Sequence, residues 1–175
     1  AASQGLDEFS LRHVAKLGDI STTIIFQHFS GRAELLESAL ALAIDRDRAF
    51  HETLLADSAQ LLTTHLGLAD FLASYIGMRA LLPHARLISE MVLKLDENPQ
   101  CHELTAGWIQ MRTDFWSRII DGLDCPPAMA QIVSQFVLME EFYAYALQKD
   151  IVYGLLLAET CRALCLTAFR VDTGQ

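Results

Sequence analysis

The stretch from Ser10 to Leu36, SLRHVAKLGDISTTIIFQHFSGRAELL, constrains the fold more than any other part of the chain. It reads as helix, tight turn, helix, short break and a third helix. Ser10 suits a helix cap, since its hydroxyl accepts from a free N–H of the first turn, and Leu11, Val14, Ala15 and Leu17 give the helix behind it an apolar stripe. Gly18-Asp19 marks the turn, because glycine takes a positive φ freely and aspartate tolerates one better than most residues. Ser21 is placed to cap a second short helix, Thr22 to Phe29, whose inward face is expected to be Ile25 and Phe29 with Val14. Ser30-Gly31 breaks that helix and Arg32 opens the third. Two short helices on a tight turn, followed by a longer one, make a helix-turn-helix pattern.

The rest of the chain is helical in pattern too. It has 175 residues, 52% hydrophobic and 20% charged, with a mean hydropathy of +0.26, enough to bury a sizeable core. Proline (4) and glycine (9) are sparse and no strand-like alternation runs through the sequence, which points to an all-α chain. Arg32 to about Asp57 reads as one long helix, with Leu35, Leu36, Ala39, Ala43 and Phe50 near helical spacing and Asp45-Arg46-Asp47-Arg48 as a solvated face. Further helices are expected near 68–82, 84–97, 101–122, 127–148 and 151–170, punctuated by Pro83, Asn98-Pro99 and Pro126-Pro127. The natural division puts a helix-turn-helix head at 1–48 and a helical body at 49–175.

Charge divides unevenly between these parts. The net charge is −9; the first fifty residues hold 5 basic and 7 acidic side chains, net −2, leaving 8 and 15, net −7, for the body. An acidic body is compatible with a locally basic face in the head, because salt confines fields to about 8–10 Å. The cysteines Cys101, Cys125, Cys161 and Cys165 form no C-x-x-C pair and read as small buried hydrophobes in a reducing, cytoplasmic setting. No secretory signal is visible. Ile151 to Phe169 approaches spanning length, but Glu159 and Arg162 at its middle would each cost about 2.5–3.5 kcal/mol in lipid, so a buried helix is expected and no membrane partner.

The last two helices are apolar on nearly every side, through Ile132, Val133, Phe136, Val137 and Met139 in one and Leu155, Leu156, Leu164 and Phe169 in the other. Such helices need burial on several sides, which a body of this size supplies most simply as a homodimer through a four-helix interface containing Ile132, Phe136, Leu156 and Leu164.

Catalytic patterns find no support. There is no H-E-x-x-H or Glu-x-x-His metal pair, no G-x-S-x-G and no phosphate-binding glycine loop, while His51, His65, His84 and His102 are scattered as surface or satisfied residues. No enzyme activity, cofactor or metal is expected. For nucleic acid, the short second helix exposes Thr22, Thr23, Phe26, Gln27 and His28: threonine and glutamine can hydrogen-bond base edges, and Phe26 or a threonine methyl can meet a thymine methyl. Ser10, Ser21 and Ser30-Gly31 mark helix starts whose free N–H groups suit phosphate, with Arg12, Lys16, His28 and Arg32 adding charge or polar contacts.

At Val14-Ala15, Gly18-Asp19-Ile20-Ser21, Ile25-Phe26, Phe29, Gly31-Arg32 and Glu34-Leu35-Leu36 the chain resembles the tetracycline-repressor (TetR) family of one-component transcriptional regulators. The match is ordered and ungapped over about twenty-five residues. Three departures stand out: the usual turn glycine is Asp19, with the glycine one place earlier; the usual tyrosine of the second helix is Phe26; and the usual lysine is Arg32. The resemblance implies a three-helix head whose first helix is mostly missing here, with Ala1 to Gly5 as its last turn. It implies that Arg12 also reaches a base, that the last two helices dimerise, and that the body binds an inducer.

The aromatic and methionine side chains fit that last role. Trp108, Met111, Arg112 and Phe115 share a face of one helix, with Phe71, Tyr75, Met78 and Met139 on its neighbours, and Trp116, about 100° round from Phe115, is expected outside the cavity. Few cations line the region, so a neutral, apolar or cationic inducer is expected. The resulting expectation is a cytoplasmic, homodimeric DNA-binding regulator, a repressor on a near-palindromic double-stranded operator released by a small apolar molecule. The alternative is a helical small-molecule-binding or scaffolding dimer that no longer binds DNA.

Overall fold

The computed structural model describes residues 6, 10–58, 64–121, 123 and 129–146. Among the described residues seven α-helices follow one another: α1 (Leu11–Leu17), α2 (Thr22–His28), α3 (Arg32–Ser58), α4 (His65–Ala80), α5 (Pro83–Leu93), α6 (His102–Ile120) and α7 (Met129–Ala146). Two short 3₁₀ turns, Leu95–Glu97 and Pro99–Cys101, lie between α5 and α6, and no strand occurs among the described residues. The chain is all-α. The expected helix over 84–97 ends at Leu93 instead: Lys94 leaves α-helical values at φ −110°, ψ 27°, Leu95–Glu97 runs on as a 3₁₀ turn, and Asn98, before Pro99, is held at φ −133°, ψ 63°. The expected final helix, 151–170, lies outside the described residues, as do Ala1 to Gly5.

Two compact units make up the chain: Ala1–Arg48 with Pro83–Trp108, and Ala49–Leu82 with Ile109–Gln175. The first unit thus joins residues 1–48 to α5 and the start of α6.

In the first unit α1 and α2 pack against each other. Ser10 Oγ accepts from the His13 N–H at 3.1 Å and Ser21 Oγ from the Ile24 N–H at 3.3 Å, so both helices start on serine caps. The end of α1 is a Schellman turn: the Asp19 N–H donates to Lys16 O at 3.4 Å and the Ile20 N–H to Ala15 O at 3.0 Å. Asp19, not Gly18, takes the left-handed position, at φ 49°, while Gly18 sits at φ −86° in ordinary helical space. Ala15 and Ile25 point inward and are buried, whereas Leu17, expected on the apolar stripe, is 66% exposed. Leu36, Leu40, Ala43 and Ile44 of α3 and Ala85, Ile88 and Met91 of α5 are buried in this unit as well.

The second unit has its own core. Leu68, Phe71, Leu72, Tyr75 and Ile76 of α4 recur at three- and four-residue spacing and meet Phe115, Trp116, Ile119 and Ile120 of α6 and Val133 and Val137 of α7. Thr64 caps α4, its hydroxyl accepting from the Gly67 N–H at 3.0 Å.

Candidate functional site

The outer surface of α2 is one candidate. Ile25 is buried, which on a 3.6-residue period turns Thr23 and Gln27 directly outward and sets Phe26 beside them. Thr23, Gln27 and His28 are exposed, Phe26 is 57% exposed, and Thr22 is half-buried. Arg12 and Lys16 are exposed on α1. Ser10 and Ser21 already use their hydroxyls as caps. Arg32 is exposed, but its guanidinium donates to Leu6 O at 3.2 Å. The Leu6 N–H in turn donates to the buried carboxylate of Glu90. Leu6 is thereby fixed between α3 and α5, and Arg32 has a structural task that its sequence position did not disclose.

The start of α3 has its own lock. Glu34 Oε2 accepts from the Ser30 N–H at 2.6 Å, and the hydrogen bonds from Ser30 hold the Glu34 carboxyl below its ordinary pKa.

Among the described residues of the first unit the buried polar side chains are Asp47 on α3, Ser89 and Glu90 on α5, Asn98, and Thr105 on α6. Asp47 is fully buried and accepts from the Trp108 indole N–H at 2.7 Å, with His84 Nε2 3.5 Å from its other oxygen. This corrects the solvated-face reading of Asp45-Arg46-Asp47-Arg48. Asp45 and Arg48 do form an exposed pair at 2.8 Å, but Asp47 continues the inward stripe of Leu36, Leu40 and Ala43. Cys101 is buried as expected of a small hydrophobe; burial and then the nearby Glu37 charge push its thiol pKa up, which makes it a poor nucleophile. Cys125, Cys161 and Cys165 lie outside the described residues.

The second unit contains a buried aromatic cluster with a polar centre. His51 Nε2 and the Tyr75 hydroxyl are 2.9 Å apart, and the His51 ring stands edge-on to Phe115 with centroids 4.4 Å apart. Phe71, Tyr75 and Phe115 all touch Trp116, at centroid distances of 6.1, 5.1 and 5.1 Å. Trp116 is therefore inside the cluster it was expected to lie outside, and its buried indole N–H has no hydrogen-bond partner among the described residues. Arg79 and Arg112 are buried as well, and the Arg79 guanidinium carbon lies 5.9 Å from the centre of the Tyr75 ring. Arg79 was missed in the sequence; His51, expected as a surface or satisfied residue, is buried and satisfied by Tyr75, and its position one turn beyond Asp47 on the buried stripe was the available signal for burial.

The remaining residues expected around a ligand are not gathered there. Trp108 belongs to the first unit, Met78 is 37% exposed, Met111 is half-buried and Met139 is 70% exposed. Met139 lies seven residues, two turns, from Ile132, which is 58% exposed, and the half-buried Phe136 sits between them. Together they form one apolar strip of α7. Leu156 and Leu164 lie outside the described residues.

No helix among the described residues is long and apolar enough to cross a membrane. Comparison with protein-family models, with curated proteins and with solved structures gave no match.

Proposed function

We propose that the chain is a TetR-like, homodimeric transcriptional regulator that reads double-stranded DNA with α2 and releases it when a small molecule binds the body. The observation that carries the reading is the outward face of α2. Thr23 and Gln27 are exposed opposite the buried Ile25, on a seven-residue helix capped by Ser21 and packed on α1. Helices of this kind enter the major groove and hydrogen-bond base edges. Charge also supports it. From Ser10 to Arg32 the chain carries Arg12, Lys16 and Arg32 against Asp19 alone, net +2 in a protein of net −9.

Dimerisation is supported by the exposed Ile132 and Met139 on α7, with the half-buried Phe136 between them. Two heads set about one DNA turn apart, about 34–36 Å, require a near-palindromic operator. For the effector, the supporting feature is the polar content of the aromatic core, where His51, Tyr75, Arg79, Arg112 and the Trp116 N–H are buried. The phenyl and indole faces suit an apolar body, and the polar groups give it an orientation. The effector moves the equilibrium only as far as its affinities for the two body conformations differ.

The test is selection from a random duplex pool by the full chain, followed by affinity measurement at two salt concentrations. The expected outcome is an enriched inverted repeat that weakens with salt. Thr23→Ala and Gln27→Ala should each change the preferred bases, at about 1–3 kcal/mol per lost good contact. Ile132→Asp should leave only half-site binding. Absence of enrichment would remove the DNA-binding reading and favour a helical ligand-binding or scaffolding dimer.

A further inference from the structure

We infer that Arg32 and Glu90 serve DNA binding as positioning residues: they clamp the backbone of Leu6, one at its carbonyl and one at its N–H, and through it tie the start of α3 to α5. The inference rests on the DNA-binding reading and gives Arg32 a different task from the phosphate contact expected of it in the sequence. Leu6 is 2% exposed, and side chains take both of its main-chain polar groups. Its N–H donates to the carboxylate of Glu90, itself buried on α5, and its carbonyl accepts from Arg32 Nη2 at 3.2 Å. An anion takes the donor and a cation takes the acceptor, so both bonds are charge-assisted and one residue of backbone stands between opposite charges.

The clamp sits where it bears on α2. Arg32 is the first residue of α3, and only Phe29, Ser30 and Gly31 separate it from the end of α2 at His28. That joint is closed at both ends. The Phe29 N–H donates to Ile25 O at 2.9 Å, and the Ser30 N–H to Glu34 Oε2 at 2.6 Å. The placement of α2 therefore follows that of the α3 start, which Leu6 ties to α5. Glu90 separates a positioning role from a contact role. It is buried, so it touches no DNA. By charge alone, removing an acid tightens binding to a polyanion. By the clamp, removing the acceptor of the Leu6 N–H weakens binding. The two effects have opposite signs.

The test compares full-length wild type, Arg32→Ala, Glu90→Leu and Glu90→Gln on the duplex that wild type selects from the random pool, with melting to show that each is folded. Arg32→Ala and Glu90→Leu should each lose affinity about ten-fold, as for one hydrogen bond to a charged group lost from the binding-competent arrangement. Glu90→Gln, which keeps an acceptor and drops the charge, should bind at least as tightly as wild type. Arg32→Ala should change the slope of log affinity against log salt by well under the value of about 0.9 that one phosphate contact contributes. Exchange of the Leu6 amide, followed by NMR without DNA, should be slow in wild type and Glu90→Gln and fast in Glu90→Leu. A slope change near that of a full phosphate contact in Arg32→Ala would overturn the inference and leave the DNA-binding reading intact, and it decides even where Glu90→Leu does not fold. Glu90→Leu binding as tightly as wild type would overturn it as well. Fast Leu6 exchange in wild type would overturn the clamp itself, whatever the DNA result. Failure to select any duplex would instead remove the DNA-binding reading, and with it this use of the clamp.

Discussion

Trp108→Phe tests how the first unit is held together. The Asp47 carboxylate is fully buried and its bond from the Trp108 indole is 2.7 Å, at the short end for N–H···O, as a charge-assisted bond should be. Removing that donor keeps an aromatic ring in place but deprives the carboxylate of one partner. Hydrogen bonds to charged groups contribute about 1.5–3 kcal/mol, and trimming the indole adds a packing loss. The two parts separate in a double-mutant cycle with Asp47→Leu, an apolar side chain of the same branching that has no acceptor. In that background Trp108→Phe retains its packing cost and loses its electrostatic one, so the coupling should be about 1.5–3 kcal/mol. Urea unfolding followed by far-UV circular dichroism measures all four proteins. A coupling below about 0.5 kcal/mol, the usual additivity error, would refute the view that this bond holds α6 to α3.

Two further predictions concern local backbone structure. At the end of α1, Gly18→Ala should be neutral or stabilising by up to about 1 kcal/mol, because an added Cβ would meet only ordinary contacts at 3.4 Å and beyond. Asp19→Val should cost about 1–2 kcal/mol, because Asp19 is the residue at φ 49°; thermal melts that ranked the two variants the other way would contradict the turn. Glu34 has its folded-state pKa lowered by Ser30, so its contribution is present above the unfolded carboxyl pKa and is lost as pH falls through the folded value. The stability advantage of wild type over Glu34→Gln should therefore be full at pH 7 and gone in strong acid, and an advantage that grew on acidification would contradict the assignment.

The sequence disclosed features that rest on local rules. Ser10 and Ser21 are caps because a serine precedes an apolar-periodic run in each case, and Ile25 is buried because the period of α2 puts it there. The turn was legible as a turn, but its left-handed residue was not. Gly18 and Asp19 both tolerate that conformation, and the choice follows from where α1 ends, which depends on the bonds to Ala15 and Lys16.

Polar residues on buried stripes were harder to read, and they account for most of the differences. Asp47, His51 and Arg79 carry charged or titratable groups, so composition assigns them to the surface, whereas Arg112 is read inward from the face it shares with Trp108 and Phe115. Periodicity assigns them inward: 36, 40, 43, 47 and 51 run down α3, 68, 72, 75 and 79 down α4, and 105, 108, 112 and 115 down α6, every one of them buried. Where the two signals conflict, the buried position requires compensating partners, and those partners come from distant sequence. His51 meets Tyr75 twenty-four residues away and Asp47 meets Trp108 sixty-one residues away. A single sequence gives the period but not the pairing. The same reasoning explains why Trp108 and Phe115, two turns apart on one face of α6, serve different neighbours. The stripe is continuous, but it passes from a unit where a carboxylate awaits the indole to one where Tyr75 and Phe71 receive the phenyl ring.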